Sequence, residues 1–198
     1  MASIIELMGV LVGSFLVNLI PFAGPSNLFI ASTAALTVQS DPFTLGFLVA
    51  LGSASAKSVH YIVTFIVGKH LSEKRRQRLD ASAQKIKRWA FVLLYAAAAT
   101  PIPDEPVVIP LGLMKYNPAK FFTAFFLGKI SITIIGAALG TWSETAFAPW
   151  LSQEAMIAIS IILTIAVTII LLKVDVGKLL EKIFKRKIAL PSSTEEKT

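Results

Sequence analysis

Long apolar runs, some of them interrupted by prolines, dominate the hydrophobic pattern of this chain. The runs over 42–67, 118–142 and 155–172 with its flanks reach about the 20 apolar residues that a transmembrane helix needs. The runs over 4–38 and 90–116 are each divided near the middle by a proline cluster. The pattern predicts three full transmembrane helices and two pairs of shorter helices.

The two interruptions have the sequences PFAGP, with Pro21 and Pro25, and PIPDEP, with Pro101, Pro103 and Pro106. Proline breaks a helix, and non-helical backbone at membrane depth is tolerated only where protein covers it or water reaches it. Each divided run is therefore predicted to be a re-entrant hairpin with its tip beside a cavity. One long kinked span per run is the alternative, because proline kinks are common in membrane helices.

Basic residues lie on one side of the predicted spans. Seven Lys and Arg occur within 74–88 and six within 173–187, whereas the opposite loops contain Asp41, Glu144 and Glu154 and no basic residue. Because positive loops stay in the cytoplasm, we expect an outside N-terminus and a cytoplasmic C-terminus. The net charge of +7 is then explained by the basic residues that orient the spans in the membrane. A nucleic-acid partner is not expected, because the basic runs flank spans and lack interleaved aromatic residues.

These boundaries predict an all-α membrane protein with two opposed re-entrant helical hairpins, three full transmembrane helices and an inverted-repeat core. The core covers 1–142 and consists of hairpin 1–40, span 42–69, basic amphipathic connector 72–88, hairpin 89–116 and span 118–142. A C-terminal transmembrane helix over 143–173, a basic amphipathic segment over 174–190 and a disordered tail over 191–198 follow.

Proline and glycine landmarks recur at equal spacing in the two halves of the core. Pro25 precedes Pro42 by 17 positions, and Pro101 precedes Pro118 by the same 17. A glycine follows 10 positions later in each half, at 52 and at 128, and the pairs Asp41-Pro42 and Asn117-Pro118 correspond. This agrees with a repeat. Small residues on the spans, among them Gly46 and Gly136, are expected to be core contacts, with monomer or homodimer left open.

Composition places the chain among integral membrane proteins, since 55% of its 198 residues are hydrophobic, 16% are charged and the mean hydropathy is +0.70. The chain has no cysteine and two histidines, so we expect no metal and no cofactor. Residues 1–20 carry Glu6 and no positive charge, which predicts a retained N-terminus. Because lipase and nucleotide motifs are missing, an enzyme is not expected.

Four charged residues are predicted to meet inside the membrane. Lys57 and Lys129 lie near the middle of the first and second spans, where snorkelling to the surface is difficult. A hairpin tip about ten to twelve residues deep reaches the same level at about 1.5 Å per residue, and it carries Asp104 and Glu105. These residues are predicted to serve transport, with static buried ion pairs as the alternative. His60, one turn after Lys57, is a candidate transport residue and is predicted to be a hydrogen-bonded core histidine, with a proton relay as the alternative.

The hairpin tips also resemble helix N-termini. An acid followed by proline is typical of an N-cap and first helical position, so Asp104 or Glu105 is predicted to cap a half-helix that runs to Leu113. Ser26 and Asn27 are predicted to form a neutral cap in hairpin one. Ionised acids would bind a cation or proton, whereas protonated acids would leave room for an anionic headgroup, and the sequence leaves both open.

The motifs of this chain resemble those of the DedA family, also called the VTT or SNARE-associated Golgi protein family. The resemblance covers about residues 15–142 and rests on TPIP at 100–103, PLGLM at 110–114, NPAKFF at 117–122 and GK at 128–129. It implies opposed re-entrant hairpins and movement of lipids between leaflets. Bacterial members recycle undecaprenyl phosphate, and eukaryotic members of the endoplasmic reticulum scramble phospholipids.

The chain departs from the bacterial pattern at both hairpins. Asn27 stands where those members usually have an acid, and Thr100 and Pro106 stand where they have arginines. The resemblance then implies that the usual proton-coupling acid and phosphate-binding arginines are missing. In its arginine-free second hairpin the chain resembles the vacuole-membrane-protein branch, which resembles passive scramblases. Lys129 or Lys57 is the candidate replacement for the lost positive charge. The absence of cysteine and the small number of asparagines and glutamines suit a thermophilic prokaryote, so a prokaryotic cell membrane is the expected location.

Three functions are compatible with these features. The first is a lipid scramblase or flippase that moves phospholipid or polyprenyl-phosphate lipid, with anionic headgroups as expected partners, through a hydrated groove at the hairpin tips. The second is a proton- or cation-coupled transporter of small solutes that uses Asp104 and Glu105. The third is a membrane scaffold that transports nothing.

Overall fold

The computed structural model describes residues 2–21, 25–70, 89–101, 103–147, 149–152, 154–159, 162, 165 and 166, and this part of the chain is helical with no β-strand. The helices are α1 (Ile4–Asn18), α2 (Asn27–Thr37), α3 (Pro42–Lys69), α4 (Ala90–Ala98), α5 (Glu105–Leu113) and α6 (Pro118–Phe147). The predicted connector 72–88, amphipathic segment 174–190, tail 191–198 and most of the third span lie outside the described residues.

Two helices of the described part, α3 and α6, are long and apolar enough to cross a membrane. They have 28 and 30 residues, or about 42 and 45 Å, which exceeds the bilayer's hydrocarbon thickness of about 30 Å. Both begin in the same way. Asp41 Oδ1 accepts a hydrogen bond from Thr44 N at 2.8 Å, and Asn117 Oδ1 accepts one from Lys120 N at 3.0 Å. The Thr44 hydrogen bonds lower the pKa of Asp41 below its usual value.

Each proline-divided run forms two separate helices, as the sequence predicts. Backbone that is not helical separates α1 from α2 and α4 from α5. The prolines at positions 21, 25, 101 and 103 lie in these breaks, where their missing N–H groups cost no helical hydrogen bond. Helix α1 begins with a capping box, in which Ser3 N donates to the Glu6 carboxylate at 2.7 Å. The positions of the two breaks therefore follow from the prolines in the local sequence.

Glycines let the half-helices approach the long helices closely. Helices α1 and α5 pack mainly on α3, whereas α2 and α4 pack mainly on α6. A Cβ atom on Gly52 would lie 2.5 Å from the Leu11 carbonyl oxygen of α1, and one on Gly128 would lie 2.6 Å from the Tyr95 carbonyl oxygen of α4. The equally spaced glycines thus have equivalent positions, one in each half. The prediction that the small-residue faces are core contacts is confirmed.

The long helices also contact each other directly and leave apolar faces outside. The Thr133 hydroxyl of α6 donates to the Gly46 carbonyl of α3 at 2.8 Å, and Phe121 and Phe125 are fully buried between helices. On the outer surface, Ile5 is 84% exposed and Phe43 70% exposed. An apolar exterior around close-packed small residues is the arrangement expected in lipid.

Candidate functional site

Three ion pairs join the long helices to the second break. Lys57 Nζ of α3 pairs with Glu105 Oε1 and lies 3.2 Å from Asp104 Oδ1, while Lys129 Nζ of α6 lies 2.8 Å from Asp104 Oδ2. All four residues are at most 4% exposed. We call these four residues the charge cluster. The meeting of these residues, which the depth of the hairpin tip predicts from the sequence, is confirmed.

Local structure explains how the acids reach the lysines. The non-helical backbone ends at Asp104, and α5 begins at Glu105, so both carboxylates lie at the first turn of a short helix. Lys57 and Lys129 lie near the middle of α3 and α6. The Lys129 ammonium also lies 5.0 Å from the centre of the Phe125 ring, in cation–π contact. The break thus brings two acids to the depth of two cations.

Charge balance makes this cluster possible in a dry interior. Two lysines and two carboxylates sum to zero, so no net charge is buried at the site. Desolvation of a buried ion pair can nevertheless exceed the attraction between its members, so such pairs are poor evidence of stabilisation. Removing one partner is far more costly, because it leaves a buried charge uncompensated. Each member of the cluster therefore depends on its ion-pair partner.

A second buried polar group bridges the first break. The side-chain amides of Asn18 and Asn27 exchange two hydrogen bonds, of 2.9 and 3.0 Å, between the last residue of α1 and the first of α2. The Ser53 hydroxyl of α3 donates to Asn18 Oδ1 at 3.1 Å, and Asn18 Nδ2 donates to the Ser14 carbonyl at 2.8 Å. We call Ser14, Asn18, Asn27 and Ser53 the amide cluster. It is buried and uncharged.

One residue of each cluster occupies the same place relative to the equally spaced glycines. Ser53 follows Gly52 on α3, and Lys129 follows Gly128 on α6. Each of these polar side chains reaches a residue next to the helix break in its own half, Asn18 at the start of the first break and Asp104 at the end of the second. One break is therefore bridged by neutral polar side chains and the other by charged ones.

The remaining predicted site residues lie elsewhere. His60 Nε2 lies 2.9 Å from the Leu19 carbonyl oxygen beside the first break, which agrees with the predicted hydrogen bond, but the residue is only partly buried and is not part of the core. The Thr100 hydroxyl donates to the Ala97 carbonyl of its own helix at 2.9 Å. Pro106 lies in the first turn of α5. These residues line the breaks without contributing to the three ion pairs.

The predicted capping roles of Asp104 and Ser26 are wrong. Asp104 and Ser26 do occupy N-cap positions, but neither side chain makes a capping hydrogen bond. Asp104 faces the two lysines, and Asn27 turns to Asn18. An unpaired buried lysine costs more than an uncapped helix end, so the carboxylates pair with the cations instead. The predicted end of the half-helix at Leu113 is confirmed.

Three members of the amide cluster were not predicted from the sequence. Ser14 and Asn18 are polar residues four positions apart in an apolar run, which places them on one helix face just before Pro21. Ser53 directly follows a contact glycine. That spacing is the signal that could have identified them. Within the described ranges, no three His, Asp or Glu side chains come together in a set that could hold a metal ion.

Short helices that meet at breaks and two long apolar helices fit a helical membrane protein. A family model of the VTT domain matches residues 20–142. The chain belongs to this family, the DedA and SNARE-associated Golgi family, whose members are generally membrane proteins proposed as transporters or lipid flippases. No curated protein and no solved structure matches the chain.

Proposed function

We propose that this protein moves phospholipid or polyprenyl-phosphate lipid between the leaflets of a membrane, with the headgroup passing along a hydrated groove at the helix breaks. One observation carries the proposal: a neutral cluster of four charges is buried at the break between α4 and α5, midway along two apolar helices. Charges at such depth are expensive and mark pathways. The apolar exterior supports a lipid environment.

The proposal includes a topology. Helices α1, α2, α4 and α5 have 15, 11, 9 and 9 residues, or about 14 to 23 Å, so none spans the hydrocarbon core alone. We propose that each pair forms a re-entrant hairpin, the first entering from outside and the second from the cytoplasm. Helices α3, α6 and the C-terminal helix then cross fully, which places the N-terminus outside and the C-terminus in the cytoplasm.

Cysteine labelling tests this topology, because the native chain has no cysteine. In sealed vesicles of known orientation, Arg76→Cys should resist an impermeant maleimide added outside, whereas Glu144→Cys should react. The physical reason is that the positive connector is held in the cytoplasm. External labelling at position 76 before the vesicles are opened would contradict the topology.

The proposed activity itself is tested with purified protein in liposomes. An external quencher should reach inner-leaflet fluorescent lipid without added ions, and the rate should not change when an imposed proton gradient is collapsed. Both carboxylates of the tip are already paired with lysines, which favours this uncoupled mechanism. We expect Asp104→Asn and Glu105→Gln to slow lipid movement without introducing a dependence on the gradient.

A matched control for those variants is Glu6→Gln, which converts an exposed acid into its amide in the capping box of α1. Glutamine keeps the capping geometry, so lipid movement should equal that of the parent. Lipid movement that stops on collapse of the gradient would instead support a coupled transporter, for which the two buried carboxylates are the candidate ion site.

A further inference from the structure

By their contacts with the two long helices, α1 to α6 divide into two interleaved groups, which we call bodies and which also pack directly on each other through α3 and α6. Body A contains the long helix α3 with α1 and α5, and body B contains the long helix α6 with α2 and α4, because each half-helix packs mainly on one long helix. Consecutive helices alternate between the bodies along the whole described chain. Each hairpin therefore has one half in body A and the other in body B. Any separation of the bodies would open both breaks at once.

Polar bridges cross between the bodies at both breaks. At the first break, Asn18 of body A exchanges amide hydrogen bonds with Asn27 of body B. At the second break, Asp104 precedes α5 of body A and pairs with Lys129 of body B at 2.8 Å. The pair of Lys57 with Glu105, in contrast, lies within body A. One neutral and one ionic bridge thus cross the seam beside the breaks, in addition to the Thr133–Gly46 hydrogen bond between the long helices.

The buried charges divide unequally across this seam. Among the described residues, the charged side chains that are buried are Lys57, Asp104, Glu105 and Lys129. Body A holds one cation and two carboxylates, a net charge of −1, and body B holds one cation, a net charge of +1. If the seam opened, the wall on body A would present an uncompensated charge of −1 to the groove and the wall on body B one of +1, so a ligand that carries both signs would be favoured.

We propose that the seam between body A and body B is the headgroup path and that Asp104 and Lys129 bind a zwitterionic phospholipid headgroup there. The headgroup ammonium would pair with Asp104 and its phosphate with Lys129, so that one ligand compensates both walls. An anionic headgroup would compensate body B alone and leave body A charged. This inference rests on the lipid movement proposed above, and it replaces the anionic preference expected from sequence.

The first test compares two headgroups in the liposome assay. Phosphatidylcholine and phosphatidylglycerol carry the same acyl-chain fluorophore, and the parent protein should move phosphatidylcholine about tenfold faster, which corresponds to about 1.4 kcal/mol. The double variant Asp104→Asn with Lys129→Met neutralises both walls, so this preference should disappear. Equal rates for both headgroups in the parent, or a faster rate for phosphatidylglycerol, would overturn the inference.

The matched control removes the other ion pair of the charge cluster. Lys57→Met with Glu105→Gln also neutralises two buried charges, but body A keeps −1 and body B keeps +1. The rate for phosphatidylcholine divided by the rate for phosphatidylglycerol should therefore match that of the parent. The control is judged by this ratio and not by the absolute rates. Loss of the ratio in both double variants would show that the cluster acts as an undivided unit, contrary to the inference.

A second test leaves the charge cluster unchanged. Phe47 of α3 and Phe126 of α6 face each other across the seam with ring centres 5.6 Å apart, and Phe122 and Phe126 on α6 have the same separation within body B. Cysteine pairs at these positions are joined by a short bifunctional thiol reagent. Joining 47 to 126 should slow lipid movement about tenfold, or about 1.4 kcal/mol, whereas joining 122 to 126 should not.

The outcomes separate this inference from the proposed function. If the parent moves neither probe, the proposed lipid transport fails and the inference fails with it. If the parent moves lipid but the 47–126 crosslink has no effect, transport stands and the seam is not the path. Slowing by the 47–126 crosslink alone, together with the headgroup preference, supports the seam and its zwitterionic site.

Discussion

Replacing Lys129 with methionine is expected to lower the free energy of unfolding by about 3–5 kcal/mol, the usual cost of breaking a buried ion pair by removing one partner. Asp104 would keep Lys57 at 3.2 Å, but two carboxylates would then share one cation in a site where all these residues are at most 4% exposed. Denaturant unfolding of the purified variant in detergent measures the loss. Lys120→Met, at an exposed lysine of the same helix, should change stability by no more than about 0.5 kcal/mol.

A double-mutant cycle identifies the cause of that loss. Adding Asp104→Asn to Lys129→Met restores neutrality, so most of the lost stability should return. If the losses from the two single changes simply add in the double variant, the two residues do not interact, and the ion pair seen in the structure does not matter energetically. The same double variant also separates a static role from a transport role. If this double variant is stable but has lost the preference between headgroups, the charge cluster has a transport role.

Replacing Gly128 with leucine is expected to cost about 3 kcal/mol of stability, at the upper end of ordinary overpacking. The first atom of the new side chain would lie 2.6 Å from the Tyr95 carbonyl oxygen and 2.7 Å from Ala98 Cβ, so α4 would have to move away from α6. Such a shift would also displace the break that leads to Asp104. We therefore expect lipid movement to fall together with the melting temperature.

The control for Gly128→Leu is the same change at Gly9 of α1. A Cβ atom there meets nothing within 4 Å, so leucine should be tolerated and should gain helix propensity. Comparable losses at both glycines would indicate that leucine is unfavourable for reasons other than the contact between α4 and α6. A loss confined to position 128 would show that this close approach holds the second half of the repeat together.

Much of the site could be predicted from the sequence because it depends on local geometry. Prolines at 21, 25, 101 and 103 interrupt any helix, and a rise of about 1.5 Å per residue sets the depth of each position. These two facts are enough to place Lys57, Lys129, Asp104 and Glu105 at one level. The small residues of the spans likewise indicated where helices approach each other, and the equal spacing of the glycines indicated a repeat.

The tertiary structure decided which groups became partners. Asn18 pairs with Asn27, and Asp104 bridges two lysines instead of capping α5, because burial makes an unpaired polar group more costly than an uncapped helix end. The sequence by itself determined the breaks, the apolar spans and the depth of the charges, since these follow from backbone geometry within a few turns. The division into two bodies depended on contacts between distant helices, which local periodicity does not encode.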